Sequence, residues 1–216
     1  MDGGDVPRRR RQPAHTGQLR RVPSQQRGRE RFEKILTVAT QLIEEKGSDA
    51  FKMSEIVERA GLSFGALYQY FPDKSSIIRT LAERFNEEGR RCVEAELALA
   101  NDDASLHLAL RNIADQYYDF FRREPVMRDL WHATQADRLL REIDAEDMEC
   151  HARALVAVLE SLRPDQTTLD LLPLARLVMQ LLAAAVRYAI SLDGAEGERA
   201  LALYKKMLPA ELGRLV

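Results

Sequence analysis

The chain has 216 residues, enough for one large domain or two small ones, and its 45% of hydrophobic residues suffice for a core. Its net charge of −2 is unevenly distributed, because residues 1–31 contain nine arginines against three acidic residues and so carry +6. Two widely separated cysteines exclude a disulfide framework, and the basic end on an acidic body suits a polyanionic partner.

The first 27 residues form a predicted basic arm. They are rich in Gly, Pro, Gln and Arg and nearly free of apolar side chains, so they are too polar for a packed core. We expect this arm to be disordered. It is not followed by the apolar segment of a secretory signal, so we expect a cytoplasmic protein.

Helical periodicity runs through nearly every segment beyond the arm. Apolar side chains recur three or four residues apart, and no window has the alternation of a β-strand, so we predict an all-α fold. The most apolar segment contains Arg176 and Arg187, and no membrane span is expected. The expected helices, about nine in number, lie near residues 27–46, 54–60, 63–71, 74–93, 103–122, 126–135, 137–161, 168–192 and 196–214.

Two of these helices are short and stand close together. The first begins with Ser54 as its possible N-cap and ends at Gly61. The second begins at Ser63 and must end near Pro72, which has no amide hydrogen to continue it. This is the geometry of a helix-turn-helix, although any helical hairpin fulfils the spacing alone.

The run MSEIVERAGLSFGALYQYFPDKSSIIRTL, residues 53–81, resembles the DNA-binding domain of TetR/AcrR-type regulators. The matching residues occur in the family's order and without gaps: Ile56, Ala60, Gly61, Ser63, Gly65, Leu67, Tyr68, Tyr70, Phe71 and Lys74. The resemblance reaches back to about Arg29. It implies an N-terminal three-helix helix-turn-helix domain, residues 28–75, and a C-terminal helical ligand-sensing and dimerisation domain, residues 76–216.

The second helix of the motif is the expected reader of double-stranded DNA. Gly65 would let it approach a phosphate closely, and Ser63 would cap it and reach a phosphate. The tyrosine hydroxyls would contact phosphates, or they would lie half-buried with their hydroxyls in water. The predicted DNA-binding residues are Lys52, Ser63, Phe64, Gly65, Ala66, Tyr68, Gln69, Tyr70 and Lys74. The basic arm would lie in an adjacent minor groove or remain a solvated tail.

The reading helix departs from the common family pattern at two positions. Phe64 stands where the family often has a polar or basic residue, and Ala66 stands where it often has Thr. Our hypothesis is that Gln69 reads an adenine edge while Phe64 and Ala66 touch thymine methyl groups, which favours an A/T-rich half-site. Phe64 also shares a helical arc with the predicted anchors Leu67 and Phe71, so a place in the core is the alternative. Lys52 would contact a phosphate or be solvated.

The C-terminal helices are the expected dimer interface. The helix near residues 168–192 is apolar nearly all round, more than one internal core needs. Paired across a two-fold axis, these helices would form a four-helix bundle and a homodimer, as the resemblance also implies. The alternative is a buried helix of a monomer. The predicted interface residues are Leu177, Leu181, Ala184, Tyr188, Leu203 and Met207.

The segment between the expected DNA-reading helix and the expected dimer helices is rich in aromatic and Met side chains. Such residues line small-molecule pockets, and they also form cores. The predicted pocket residues are Phe85, Tyr117, Phe121, Trp131, Gln135, Met148 and Met179. His132 and His151 have no metal-ligand spacing, so we expect no metal and no cofactor. The resemblance implies that a small-molecule effector moves the fourth helix, separates the two readers and releases the operator.

An enzyme is the first rival class. The sequence contains no HExxH, no GxSxG and no phosphate-binding glycine loop. The carboxylates from Asp137 to Glu149, including Asp144 and Asp147, are interpreted as a solvated helix face or loop, and both cysteines as buried thiols. The second rival is a helical scaffold that binds nucleic acid only through its arm. We therefore predict a DNA-binding transcriptional regulator, a repressor, and no enzyme.

Overall fold

The computed structural model describes residues 26–164 and 170–212, and within these ranges the chain forms nine α-helices and no strand. The all-α prediction is therefore confirmed. The basic arm lies outside the described residues, except that Gln26 and Arg27 begin the first helix. The helices are α1 (Gln26–Lys46), α2 (Met53–Ala60), α3 (Phe64–Tyr70), α4 (Lys74–Leu97), α5 (Asp103–Arg123), α6 (Val126–Ala136), α7 (Arg138–Leu162), α8 (Leu171–Ser191) and α9 (Gly194–Met207).

The observed helices differ from the predicted ones mainly at their ends. The last helix ends at Met207 rather than near residue 214, because Pro209 disfavours a helical conformation in the residue before it. Helix α2 begins one residue earlier than expected, with Lys52 rather than Ser54 at its N-cap. Glycine ends it as predicted, since Gly61 has a φ of 60° and its amide donates to the carbonyl of Glu58.

The first hydrophobic core joins the three N-terminal helices. Leu67 and Phe71 are fully buried, which confirms them as the anchors of α3. The Phe71 ring stacks on Phe32 of α1 with a centroid distance of 5.1 Å. The turn between α2 and α3 has three residues, and Ser63 at its end caps α3 by accepting a hydrogen bond from the amide of Ala66 at 3.2 Å.

This first core does not end with α3. Buried residues of α4, α6 and α7 belong to the same cluster, among them Ile77, Leu81, Val126, Leu130 and Ile143. The Ser48 hydroxyl also donates to the carbonyl of Asp129 in α6 at 3.4 Å. A domain boundary at residue 75 stays a prediction, and the packing is continuous across it.

The second core contains α5, α7, α8, α9 and the end of α4. Helices α8 and α9 approach each other closely at Gly197, which is buried. A Cβ at this position would lie 2.3 Å from the carbonyl oxygen of Ala189 and 2.9 Å from the hydroxyl of Tyr118. The backbones of α8 and α9 are therefore in contact there, and no side chain fits between them.

Gly197→Ala is expected to lower the free energy of unfolding by about 1–3 kcal/mol, because the added methyl group forces α9 away from α8. Denaturant unfolding of the variant and the parent would measure the loss. Gly194→Ala is the matched control, since a Cβ at the start of the same helix meets no atom within 4 Å. Equal unfolding midpoints for the two variants would contradict the prediction.

Helix α8 is long and apolar enough to cross a membrane by length and composition alone. The core helix of a helical domain meets the same criteria. Helix α8 packs against α5, α7 and α9 and contains Arg176, whose guanidinium forms two hydrogen bonds with Glu149 of α7 at 2.7 and 2.9 Å. We therefore interpret α8 as a core helix.

Candidate nucleic-acid interface and ligand cavity

The outer face of α3 is uncharged and exposed. Phe64 is 51% exposed, so its alternative place in the core is wrong. Its ring stacks on Tyr68, one turn later, at a centroid distance of 6.2 Å, which makes a flat aromatic surface. Of the predicted DNA-binding residues, Lys52, Ser63, Phe64, Gly65, Tyr68 and Gln69 are exposed and Ala66 is half-buried.

Two predicted phosphate contacts are placed differently by the structure. Tyr70 is buried, 5% exposed, and its ring packs edge-on against Phe32, because it lies on the arc of α3 that faces α1. Lys74 donates to the carbonyl of Asp49 at 2.7 Å, and its ammonium lies 4.8 Å from the Phe51 ring centroid. Tyr70 is therefore a core residue, and Lys74 holds the loop between α1 and α2.

Gly65 has no role inside the protein that requires a glycine. A Cβ built on it meets only the Ser63 hydroxyl, at 4.0 Å, and its backbone conformation is helical. Glycine in a helix is less favourable than alanine by about 0.5–1 kcal/mol. The space above Gly65 is therefore left open at a cost in stability, on the exposed face of α3.

Positive charge flanks the reading helix rather than lying on it. The basic residues Arg27, Arg29 and Arg31 at the start of α1 are exposed, as is Lys52 before α2. By contrast, the Arg59 guanidinium is paired: it donates two hydrogen bonds to the Glu45 carboxylate, both at 2.6 Å, and so joins α2 to α1. The cations at the start of α1 lie beside α3, because Phe32 packs on Tyr70 and Phe71.

A stripe of exposed apolar residues runs along α8 and α9. We call it the α8–α9 stripe, and it contains all six predicted dimer residues. On α8 the spacing is four, three and four residues, which places the side chains on one face. The exposed fractions are 56% for Leu177, 53% for Leu181, 62% for Tyr188, 56% for Leu203 and 80% for Met207, and Ala184 is also exposed.

A cavity of about 210 Å³ lies among α4, α5, α6, α7 and α8. Six of the seven predicted pocket residues line it: Phe85, Tyr117, Phe121, Trp131, Met148 and Met179. The seventh predicted residue, Gln135, does not line the cavity, so that prediction is wrong. Its amide is turned toward α7, where it donates to Asp144 Oδ2 at 3.0 Å.

Two protein-family models match this chain. The model of bacterial regulatory proteins of the tetR family matches residues 35–81, and the model of a tetracyclin repressor-like C-terminal domain matches residues 104–216. The second match alone covers more than half of the chain.

The chain belongs to the TetR family of DNA-binding transcriptional regulators.

A curated relative of this TetR-family chain is also a transcriptional regulator. The uncharacterized HTH-type transcriptional regulator YvdT of Bacillus subtilis is 42% identical over 62 residues, which are 29% of this chain and 31% of that protein. The chain spans less than half the length of the curated relatives it matches. The family consists of regulators rather than enzymes, which confirms that prediction.

Solved structures show the same fold. A TetR-family transcriptional regulator from Pectobacterium atrosepticum has a TM-score of 0.63 at 19% identity, covering 86% of this chain and 96% of its own. The regulator FadR from Bacillus subtilis, in complex with stearoyl-CoA, has a TM-score of 0.62 at 16% identity, covering 82% of this chain and all of its own. These likenesses support the fold of this TetR-family chain over most of its length.

Charged residues in the wall of the TetR-family chain's cavity were missed at the sequence level. Asp147 is buried, Arg90 of α4 donates to its Oδ1, and His151 Nε2 lies 3.2 Å from its Oδ2. Asp144 and Asp147 line the cavity, so their interpretation as a solvated face is wrong. The i, i+4 spacing of Asp147 and His151 is the sequence signal that indicates this pair.

Two protonatable groups of the wall stay neutral near physiological pH. Burial raises the pKa of Tyr117 to about 12, so its phenol stays protonated. Burial and then Glu96 raise the pKa of the Cys92 thiol, which donates to Gln116 Oε1 at 2.8 Å. Cys92 is therefore not a thiolate nucleophile. The other thiol, Cys150, is exposed, which corrects the expectation that both are buried.

Proposed function

We propose that this TetR-family regulator is a cytoplasmic repressor that binds a palindromic DNA operator as a homodimer and is released by a small-molecule effector. The observation that carries the proposal is the outer face of α3. It is exposed and uncharged, and among the described residues the space above Gly65 is bordered only by the Ser63 hydroxyl, 4.0 Å from a Cβ built there. A surface that meets a phosphate backbone closely needs such a space.

Base recognition rests on three residues of α3. Gln69 is exposed, and its amide can bond the N6 and N7 edge of adenine. The stacked rings of Phe64 and Tyr68 present an apolar surface for thymine methyl groups. We therefore propose an A/T-rich half-site.

Operator selection from a random DNA library tests this assignment. The parent should select a discrete A/T-rich palindrome, and Gln69→Ala should lose about 1–3 kcal/mol of discrimination at one adenine position. Phe64→Lys should change the selected base beneath it, because a lysine there favours guanine over a thymine methyl group.

Glu44→Ala, at an exposed position of α1, is the matched control and should select the parental sequence. An unchanged preference in Phe64→Lys would overturn the base contact. A parent that selects no palindrome would overturn the proposed function itself.

Phosphate contacts are assigned to exposed cations of the N-terminal helices. Lys52 precedes α2, and the arginines of the first turns of α1 follow the basic arm in the sequence. Each neutralised phosphate makes operator affinity more sensitive to salt. The arm therefore adds salt-dependent affinity without adding base recognition.

Dimerisation is assigned to the α8–α9 stripe. Leu177 and Leu181 are more than half exposed in one protomer, although leucine side chains are usually buried in a monomer. Pairing this stripe across a two-fold axis forms a four-helix bundle from two copies of α8 and α9. A two-fold axis also makes the operator palindromic, with half-sites about 34 Å apart.

Effector release is assigned to the cavity and α4. Helix α4 is separated from the reading helix by three residues, and its middle part lines the cavity between Ala82 and Val93. Arg90 in this part donates to Asp147 of α7. An effector that binds more tightly when α4 has shifted would separate the two reading helices. A hundredfold loss of operator affinity requires about 2.7 kcal/mol of coupling. The stearoyl-CoA complex of FadR supports a small-molecule site in this fold.

A further inference from the structure

We propose that the cavity binds a small aromatic organic cation, whose positive charge pairs with the carboxylate of Asp144. The inference rests on the proposed function only in taking this cavity as the effector site. It adds the chemical class of the effector, which the fold does not determine.

The volume of the cavity is sufficient for a small aromatic ligand. A protein cavity of about 150 Å³ holds a benzene molecule. The cavity here is about 210 Å³, so it accommodates one aromatic ring with a short branched substituent.

The walls favour an aromatic cation over an aliphatic neutral molecule. Tyr117 and Phe121 meet edge to face at a centroid distance of 4.9 Å, and Phe85 and Phe120 lie 5.7 Å apart. All four rings line the cavity. Aromatic faces attract ammonium groups through the ring quadrupole, and they also pack well against a ligand ring.

The charges of the wall are unevenly compensated. Three carboxylates, Glu88, Asp144 and Asp147, line the cavity. Asp147 is already paired, because Arg90 and His151 both bind it. The remaining cation of the lining, Arg123, is exposed. Acidic side chains therefore outnumber basic ones among the lining residues, and Arg90 and Arg187 interact with lining residues from outside this set.

Asp144 is the carboxylate that a ligand would meet. It is half-buried, and Gln135 donates to its Oδ2, but no Lys or Arg nitrogen among the described residues lies within 4.0 Å of it. Arg187 interacts with the Tyr117 hydroxyl, and its guanidinium lies 4.9 Å from the centroid of the Trp131 ring. A charged carboxylate in a partly desolvated wall is stabilised by a cation and repels an anion.

Isothermal titration calorimetry with three probes of similar shape tests the inference on the full chain. The probes are benzyltrimethylammonium, the uncharged 2-methyl-1-phenylpropan-2-ol and the anionic phenylacetate. We expect the cation to bind at least about tenfold more tightly than either of the others, because it alone gains from the carboxylate and the aromatic faces.

Asp144→Asn isolates the contribution of the charge. The substitution should weaken the binding of benzyltrimethylammonium about tenfold and leave the affinity for 2-methyl-1-phenylpropan-2-ol unchanged. The unchanged affinity for the uncharged probe would also show that the cavity is still folded. Glu146→Gln, an exposed carboxylate on the same helix, is the matched control and should bind all three probes like the parent.

Three results would overturn the inference: equal or tighter binding of an uncharged or anionic probe, full affinity for the cation in Asp144→Asn, or no binding of the cation at millimolar concentration. Operator binding, measured separately by gel shift, distinguishes the two proposals. Cation binding by a chain that selects no operator leaves this inference standing and removes the proposed function. Release of an operator by an anionic effector leaves the proposed function standing and removes this inference.

Discussion

Replacing Gly65 by alanine is expected to weaken operator binding by at least about tenfold, which is 1.4 kcal/mol, while the free protein folds as before. The methyl group would meet no protein atom closer than the Ser63 hydroxyl at 4.0 Å, so it creates no internal strain. It would instead occupy the space that a DNA phosphate needs above α3. Gel shift against the selected operator measures the loss.

The stability of the same variant provides an internal check. Alanine is the better helix former by about 0.5–1 kcal/mol, so the free energy of unfolding should stay the same or rise slightly. Gly194→Ala, whose Cβ also meets no atom within 4 Å, lies far along the chain from α3 and should keep parental operator affinity. Parental affinity in Gly65→Ala would show that α3 does not approach DNA at this position.

Replacing Leu181 by glutamate is expected to convert the proposed homodimer to monomers and to abolish operator binding. In the proposed dimer a two-fold axis brings two copies of the stripe together, so the substitution would bury one carboxylate from each protomer in an apolar interface. Such burial costs several kcal/mol, and the dimer dissociation constant should rise at least about a hundredfold. Sedimentation velocity and gel shift on the same preparation measure both effects.

Leu108→Glu is the matched control for the dimer prediction. Leu108 lies on α5 rather than on α8 or α9, and is 55% exposed, against 53% for Leu181. The charge is the same, so a general effect of glutamate on solubility appears in both variants. If both remain dimers, or if both dissociate, the dimer does not form through α8 and α9.

The shortness of α3 explains what the sequence could and could not predict about the reader. The fixed stop at Pro72, the caps and the buried anchors follow from local chemistry, and the structure agrees. A helix of seven residues does not define its inward arc from the pattern alone. Phe64 and Tyr70 were therefore the ambiguous positions, and only packing on Phe32 of another helix decides that Tyr70 faces inward and Phe64 outward.

The cavity shows the same division between local and long-range information. Aromatic and Met density along the chain was enough to find six of its lining residues. The ion pair at the cavity wall could not be predicted in this way, because Arg90 and Asp147 are 57 positions apart in the sequence and meet only when α4 packs on α7. Gln135 was wrongly predicted for a related reason: it does not line the cavity itself, and its amide instead donates to Asp144, which does.

Helix α6 touches both halves of the molecule at once. Leu130 belongs to the core of the N-terminal helices and also lines the cavity, and Val126 is buried in that same N-terminal core. No flexible linker separates the two regions. A chimaera that transplants α1 to α3 onto the C-terminal helices of another family member would thus expose the apolar side of α6 and α7. Such a transplant requires redesign of that surface, and exchange of the outer face of α3 alone is the less disruptive route to a regulator with a new operator.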